Sequence, residues 1–312
     1  MVKTITVCLA AYKGAPWLRE QLRSLRGQDD PALTVLMQDD GSNDETVSLL
    51  LEAAAQDSRF RMARESGRHF GAAGNFLSLM RQADTEYVAL CDQDDSWEPN
   101  RLSLCRRAME EAEAASSAAM PILVHSDCKV IAENGTLLHE SFFAHQGWDS
   151  QANTLNRLLV QNNVTGCTTL LNRPLLDIVC AHGDAKQMFM HDWFMAQTAA
   201  AFGRVVFVKA PLVRYRQHGT NAIGASEGNL LQRGLQALNL QEKAQKRLQL
   251  NYQQARCLYA AYKDVFPAEA KQIVENFLAT EQEPKHLRTL HLLQGGYTMQ
   301  NPVTVAGQIF FG

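Results

Sequence analysis

Residues 86–95 read EYVALCDQDD, an apolar run that leads directly into a cluster of carboxylates. Three carboxylates within four residues repel one another, so burying them together is costly unless a cation neutralises their charge. Mg²⁺ commonly fills this role by bridging a protein carboxylate and substrate phosphates. The alternative is an exposed acidic start to the next helix, with Asp95 or Ser96 as its cap. The apolar strand before the cluster favours the cation site.

Upstream of this cluster, short apolar runs alternate with segments of helical periodicity. Strands are predicted at residues 4–9, 34–37, 60–63 and 86–91, with helices between them. Such alternation with short connections predicts a parallel sheet, whose ligands lie beyond the carboxyl ends of the strands. We therefore expect the chemistry in the loops after the first, second and fourth strands.

Downstream, the alternation of strands and helices becomes less regular, and the C-terminal part of the chain is predicted to be helical. Strands are predicted at 122–125, 168–171 and 205–208, with a helix over 192–202. From about residue 229 to 266, leucines and tyrosines recur every three or four positions between Gln, Lys and Arg, which predicts one long amphipathic helix or two in succession. We expect an α/β domain over residues 1–225 and a helical C-terminal extension over 226–312.

Composition excludes several classes of protein. With 46% hydrophobic residues and a net charge of −3, the chain is neither disordered nor attracted as a whole to nucleic acid, which we exclude as a partner. The N-terminal segment does not read as a signal peptide, and no apolar run approaches the roughly 18 residues of a membrane span. Seven scattered cysteines without a CxxC pair predict reduced, buried thiols. We expect a cytoplasmic protein.

Four further polar clusters follow predicted strands or open a helix. Residues 38–44, QDDGSND, predict a turn that places an Asp to accept from a base or a ribose. Tyr12 is placed either to stack on a base or to pack. Asp192 stands at a helix start, where the helix dipole alone would favour it. His218, in YRQHGTN, is a candidate for a metal ligand or a phosphate contact.

Together these residues resemble a known family. The order TVCLAAYKG, MQDDGSNDET and ALCDQDDSWEPN resembles the family-2 inverting glycosyltransferases of the GT-A fold. HDW and YRQHGTN, at their distances downstream, are similar to the bacterial rhamnosyltransferase-like branch. The resemblance covers residues 4–225. It implies an α/β fold with a mainly parallel central sheet, followed here by a helical C-terminal region.

The resemblance also implies a donor site. Ala10 and Tyr12 would hold the base of a dTDP- or UDP-sugar, although many members carry a hydroxyl residue at the position of Ala10, so that only its backbone contact carries over. Asp40 would accept from the pyrimidine imide. Asp92 would lie near the ribose.

Metal and catalytic roles carry over in the same way. Asp94 would bind Mg²⁺ or Mn²⁺, with Asp95 helping through a water, and His218 would complete the metal shell or touch the diphosphate. Asp192 corresponds to the general base, with His191 where many members have Glu. The ion would stabilise the leaving diphosphate while Asp192 accepts the proton of an acceptor hydroxyl, so that one displacement inverts the anomeric centre.

The acceptor implied is a saccharide or a lipid-linked glycan, selected by loops at 136–165 and 180–191. Two rival classes stay open: a nucleotidyltransferase, although AAYKGAP matches its phosphate loop poorly, and a non-catalytic nucleotide-sugar-binding scaffold. For the C-terminal helices the alternatives are packing on the core, a homodimer contact, or peripheral attachment to the inner face of the plasma membrane through basic flanks and the apolar tail, residues 309–311.

Overall fold

The structure is a computed structural model, and it describes residues 2–117, 119–219 and 240–311. Among these residues, no helix combines the length and the apolarity that crossing a bilayer requires. The expected domain boundary at residue 225 lies outside the described residues, and so does the segment 229–239 of the expected long helix. The division into two domains stays a prediction.

One mixed sheet organises the described residues. Its strands are β1 (Ile5–Ala11), β2 (Leu33–Asp39), β3 (Phe60–Met62), β4 (Tyr87–Asp92), β5 (Ser96–Trp97), β6 (Ile122–Ala132), β7 (Leu137–His139), β8 (Leu170–Asn172) and β9 (Arg204–Gln217). The order is β3-β2-β1-β4-β8-β6-β9-β5, with β7 paired to β6. The β3-β2-β1-β4 half is parallel, as is the β6–β9 pair, while β8 joins the halves with antiparallel pairing on both sides.

Helices cover both faces of this sheet and form the C-terminal region. They are α1 (Ala15–Arg26), α2 (Thr46–Gln56), α3 (Gly71–Gln82), α4 (Arg101–Ala114), α5 (Phe142–Gln146), α6 (Leu155–Leu158), α7 (Arg173–His182), α8 (His191–Phe202), α9 (Leu240–Tyr262), α10 (Ala268–Ala279), α11 (Lys285–Gln294) and α12 (Pro302–Phe311). The strand–helix alternation predicted for the first hundred residues is confirmed.

One predicted strand is shifted. Residues 166–168 form a 3-10 turn, and the strand begins at Leu170 rather than at Thr168. The hydroxyls of Thr168 and Thr169 donate to the carbonyls of Thr165 and Gly166, each at 2.7 Å. These local bonds curl the backbone, because threonine hydroxyls offer it an alternative to sheet pairing.

The central strands are apolar throughout because both of their faces are covered. Along β1, Ile5, Val7 and Leu9 pack with α1, α2 and α4, whereas Cys8 and Ala10 pack with α3, α7 and α8. A strand covered on both faces has no solvent face to carry polar residues, which is why the sequence shows a continuous run instead of alternation.

Helix α9 packs on the apolar core that lies between the sheet and helices α3, α7 and α8. Its residues Leu248, Tyr252, Ala255 and Tyr262 are buried in the same cluster as Phe194 of α8, and the rings of Tyr262 and Phe194 stack at 5.6 Å. The described part of the leucine–tyrosine stripe therefore packs on the protein's own core. This is the first of the three alternatives given for the C-terminal helices. In α12, nothing is described of the side chains of residues 310 and 311.

Candidate active site

The carboxyl ends of β1, β2 and β4 meet at one edge of the sheet. Ala10 lies in register with Gln38 on one side and with Asp92 on the other. Because the three strands are parallel neighbours, the loops that carry the predicted donor residues leave the sheet side by side. The structure thus brings the loops bearing Tyr12, Asp40 and Asp92 together.

Gln93 fixes the backbone at Tyr12. The N–H of Tyr12 donates to Oε1 of Gln93, and Nε2 of Gln93 donates to the carbonyl of Tyr12, both at 2.7 Å. A Cβ on Gly14 would lie 2.0 Å from Oε1 of Gln93, so only glycine leaves room for this pairing. Tyr12 is 41% exposed, and the centroid of its ring lies 5.3 Å from that of His69. Sequence reasoning missed Gln93, since the variable position of a DxDD motif carries no signal of its own.

The carboxylate of Asp40 binds backbone N–H groups at the start of α3. The buried carboxylate accepts hydrogen bonds from the N–H groups of Phe70 and Gly71, at 2.6 and 2.9 Å, where α3 begins. The neighbouring Asp39 accepts from Gly41 and from the residue after it, both at 2.9 Å, which forms the turn expected of DDGS. Nδ1 of His69 also lies 3.0 Å from Oδ2 of Asp40, so after the bonds to α3 the remaining acceptor capacity is on Oδ1.

The DQDD loop buries its carboxylates to different depths. Asp92 is partly exposed, the side chain of Asp94 is 15% exposed and Asp95 is fully buried. Burial, followed by the charges of Asp94 and Asp92, raises the pKa of Asp95 well above its usual range. Helix α4 begins only at Arg101, so the alternative of an exposed acidic helix start is wrong.

The end of β9 contacts this loop from the other side. The Arg216 N–H donates to Oδ1 of Asp95 at 3.0 Å, and Nε of Arg216 donates to the carbonyl of Asp94 at 2.7 Å. Nε2 of His218 lies 2.7 Å from Oδ2 of Asp94, and the His218 ring stacks on Trp17 with centroids 4.0 Å apart. Arg216 is itself buried and ion-paired to Glu20 at 2.6 Å. Trp17 and Glu20, both on α1, were not predicted from the sequence.

These residues fit a hard divalent cation. Oδ2 of the fully buried Asp95 has no hydrogen-bond partner among the described residues, so the cluster is electrostatically incomplete. Asp92, Asp95 and Cys167 place one ligand atom each within 4.8 Å of one another. Burial raises the pKa of the Cys167 thiol well above its usual range, and a sulfur ligand is softer than the oxygen ligands that Mg²⁺ prefers. Oδ2 of Asp94 is engaged by Nε2 of His218 at 2.7 Å, so a cation ligated by Asp94 would use a carboxylate lone pair outside that contact.

Asp192 opens α8 in a buried position. Its carboxylate accepts from the N–H of Trp193 at 2.6 Å, the N–H of Gly166 at 3.2 Å and Nδ2 of Asn162 at 3.3 Å. Burial raises the pKa of Asp192 to about 7, although these hydrogen bonds oppose the rise. Burial, followed by the charges of Asp94 and Asp192, also raises the pKa of Asp92.

His191 is a neutral neighbour of Asp192. Its ring stacks on Phe76 with centroids 4.6 Å apart, and burial lowers the pKa of His191 to about 4. A Cβ on Gly166 would lie 3.1 Å from Nε2 of His191 and 3.5 Å from Cβ of Asp192, so a glycine lets the two elements meet. Where many family members are expected to carry Glu, this chain adds no second charge beside Asp192.

The fold and the site define a class: a GT-A glycosyltransferase, in which a half-parallel mixed sheet presents an aspartate loop and a second acid from a helix start. Residues 6–177 match the family model described as "Glycosyl transferase family 2". The chain belongs to that family, and it is an enzyme of the glycosyltransferase class.

The relatives agree with this class. The chain is 25% identical over 228 residues to a dTDP-rhamnosyl transferase, RfbG, of Shigella flexneri, covering 70% of this chain and 74% of the relative. It is 24% identical over 237 residues to a putative glycosyltransferase, EpsH, of Bacillus subtilis, covering 74% and 66%. In fold it is similar to the mannosyltransferase PcManGT of Pyrobaculum calidifontis, solved with GDP-Man and Mn²⁺, with a TM-score of 0.53, 16% identity and coverage of 100% and 88%. TarS of S. aureus, solved with UDP, gives a TM-score of 0.51 at 15% identity, with coverage of 89% and 92%.

Proposed function

We propose that the protein is a metal-dependent inverting glycosyltransferase that moves L-rhamnose from dTDP-rhamnose to a hydroxyl of a growing surface glycan or lipid-linked saccharide. One observation carries the proposal: residues 166–167 connect the two acidic groups, since the N–H of Gly166 donates to Asp192 and Sγ of Cys167 lies within 4.8 Å of carboxylate oxygens of Asp92 and Asp95. The choice of donor is supported by the relative named as a dTDP-rhamnosyl transferase.

The donor nucleotide binds at the ends of β1, β2 and β4. Tyr12, whose ring is partly exposed, stacks on the base, and the backbone at Ala10 lies beneath it. Asp40 accepts from the pyrimidine imide with the acceptor capacity that remains on its Oδ1. Asp92, in register with Ala10, contacts the ribose.

Asp94 and His218 hold a Mg²⁺ or Mn²⁺ ion. The bound ion supplies stabilisation of the charge that grows on the diphosphate as it leaves. Metal dependence is supported by the acidic cluster and by the Mn²⁺ with which the mannosyltransferase of similar fold was solved. Stacking of His218 on Trp17 sets the orientation of its ring, which positions Nε2 toward Asp94.

Asp192 is the general base. The acceptor hydroxyl oxygen forms a bond to the anomeric carbon, the bond from that carbon to the diphosphate oxygen breaks, and its electron pair leaves with the diphosphate. The hydroxyl proton moves to the carboxylate of Asp192. A base with a pKa of about 7 is matched to this task, because about half of it is ionised at pH 7 and it still binds a proton well.

A donor screen tests the proposal. The protein is incubated with Mn²⁺, with methyl glycosides as acceptors, and with dTDP-rhamnose, UDP-glucose, UDP-GlcNAc or GDP-mannose in separate reactions. Release of the nucleoside diphosphate is followed by mass spectrometry. Release of dTDP above the other products, dependent on Mn²⁺, is the expected result. Preference for another donor would contradict the rhamnosyl assignment, and equal release with EDTA would contradict the metal assignment.

The two rival classes predict different products. A nucleotidyltransferase would release pyrophosphate from a nucleoside triphosphate, which mass spectrometry detects when dTTP and a sugar 1-phosphate replace the sugar nucleotide. A non-catalytic scaffold would bind dTDP, and the bound nucleotide would raise the melting temperature of the protein, but no sugar nucleotide would be turned over. Membership of the glycosyltransferase family and the paired carboxylates Asp94 and Asp192 favour the transferase.

A further inference from the structure

A cavity of about 250 Å³ opens beside Asp192, and two parts of the chain form it. One wall comes from residues 142–215 and carries aromatic rings, among them Trp148 and Trp193. The other wall comes from α9 and from the segment that leads into α12, through residues such as Leu250 and Met299. The volume is close to the lower end of small-molecule sites, which suits a single sugar unit better than a long chain.

Hydrogen bonds fix the second wall to the first. Nδ2 of Asn251 donates to the carbonyl of Val160 at 3.0 Å. The N–H of Gln300 donates to Oε1 of Gln161 at 2.9 Å, and Oε1 of Gln300 accepts from the N–H of Asp149 at 2.9 Å. Asn251 is buried, so its bond is shielded from water. The C-terminal helices are therefore a built part of the cavity.

The cavity is lined by aromatic and aliphatic side chains and by uncharged polar groups. Trp148 is partly exposed and packs edge-on against Phe142, with centroids 5.0 Å apart, which fixes its ring. The charged groups of the lining are Asp192 and Arg247, and Arg247 is engaged within the protein, one contact being to the sulfur of Met299. Rigid aromatic surface with amide donors and acceptors suits a molecule that has an apolar face and a rim of hydroxyls.

We infer that α9 and the segment entering α12 complete the acceptor site, and that this site takes an uncharged sugar unit stacked on Trp148. The inference rests on the proposed function, because Asp192 is assigned as the base for the acceptor hydroxyl. The sequence placed acceptor selection in residues 136–165 and 180–191, and the first wall includes residues of both loops. Because the C-terminal region forms the second wall, it also contributes to selection of the acceptor.

A matched pair of variants on α9 tests the second wall. Leu250 lines the cavity and is partly buried, whereas its neighbour Gln249 is exposed and lies outside the lining. Leu250→Phe enlarges a side chain at the cavity, and Gln249→Phe adds the same ring to the surface of the same helix. Melting temperatures of both variants establish that they fold. Titration with dTDP and Mn²⁺ measures their affinity for the donor nucleotide.

Binding of simple glycosides is measured by saturation-transfer NMR in the presence of dTDP and the diamagnetic ion Mg²⁺, because paramagnetic Mn²⁺ would broaden the signals. The probes are the methyl glycosides of L-rhamnose, D-glucose, D-galactose and N-acetyl-D-glucosamine, with methyl β-D-glucuronide as the charged comparison. We expect a neutral glycoside to bind, Leu250→Phe to weaken it by about tenfold or more, and Gln249→Phe to leave it unchanged. Trp148→Ala is expected to abolish the saturation transfer.

Other outcomes overturn the inference and are distinct from failure of the proposed function. If dTDP with Mn²⁺ does not bind the unaltered protein, the proposed function fails. If dTDP binds but no neutral glycoside does, if the glucuronide binds more tightly, or if Leu250→Phe and Gln249→Phe behave alike, the acceptor inference is wrong while the donor assignment stands.

Discussion

Nε2 of His218 lies 2.7 Å from Oδ2 of Asp94, joining residues that are 124 positions apart in the chain. His218 directly follows β9, and Arg216, two residues earlier, donates to Asp95 and to the carbonyl of Asp94. The end of β9 therefore holds the DQDD loop in place from the side opposite to β1. This contact makes the two motifs one site, and it gives the metal assignment its first test.

Asp94→Asn should abolish Mn²⁺-dependent binding of dTDP and sugar transfer, while the fold persists. The substitution removes one of three neighbouring carboxylates, and the relief of repulsion on Asp92 and Asp95 offsets the weakened contact with His218. The melting temperature without metal should therefore stay close to that of the unaltered protein. Calorimetric titration with dTDP and Mn²⁺, together with a melting curve, checks both parts. Asp84→Asn, at an exposed position before β4, is the control. Full activity of Asp94→Asn at saturating Mn²⁺ would show that Asp94 is not the metal ligand.

Asp192→Asn should leave donor and metal binding intact and lower kcat by about 10²–10⁴-fold, the contribution of a general base. In the unaltered enzyme, kcat/KM should rise with pH up to about 7 and then level off, because Asp192 must lose its proton to act and burial raises its pKa to about 7. The variant should lose this pH dependence. Asp177→Asn, an exposed carboxylate of α7, serves as the control. A collapse of donor affinity instead would place Asp192 in the donor site.

Gly14→Ala should weaken donor binding by about tenfold, which corresponds to about 1.4 kcal/mol. The new methyl group would stand 2.0 Å from Oε1 of Gln93 and would displace the amide that fixes the backbone of Tyr12. Gly27→Ala, where a Cβ would meet backbone oxygens only at 3.6 and 3.7 Å, is the matched control.

A double variant tests whether Gly14→Ala weakens donor binding through its contact with Gln93. With Gln93→Ala already present, Gly14→Ala should add little, since the two changes act through one contact. Titration with dTDP measures all four proteins of the cycle. Additive losses in affinity would mean that Gly14 is needed for the path of the loop itself rather than for Gln93.

Local patterns in the sequence predicted the strand–helix alternation and the positions of the acidic loops, because a covered parallel strand and a turn each leave a signal within a few residues. The pairing of His218 with Asp94 could be expected only through the family resemblance. The bonds of Asp192 to Asn162 and Gly166, and the stacking of Trp17 on His218, depend on tertiary contacts between distant segments. A single sequence carries no periodicity or spacing that reports such contacts.

His125 should make the protein less stable in mild acid. It is fully buried on β6 between Phe143 and Phe207, and neither ring nitrogen has a hydrogen-bond partner among the described residues. Burial lowers its pKa from 6.5 to about 3, so below pH 6.5 the unfolded chain binds a proton that the folded chain rejects. The free energy of unfolding should then fall as pH falls, by up to about 1.4 kcal/mol per pH unit for this group. Urea unfolding at pH 8, 6 and 5 measures the slope, which His125→Leu should reduce and His286→Leu, at an exposed position, should not. An equal slope in His125→Leu and in the unaltered protein would assign the acid sensitivity to other groups, His191 first among them.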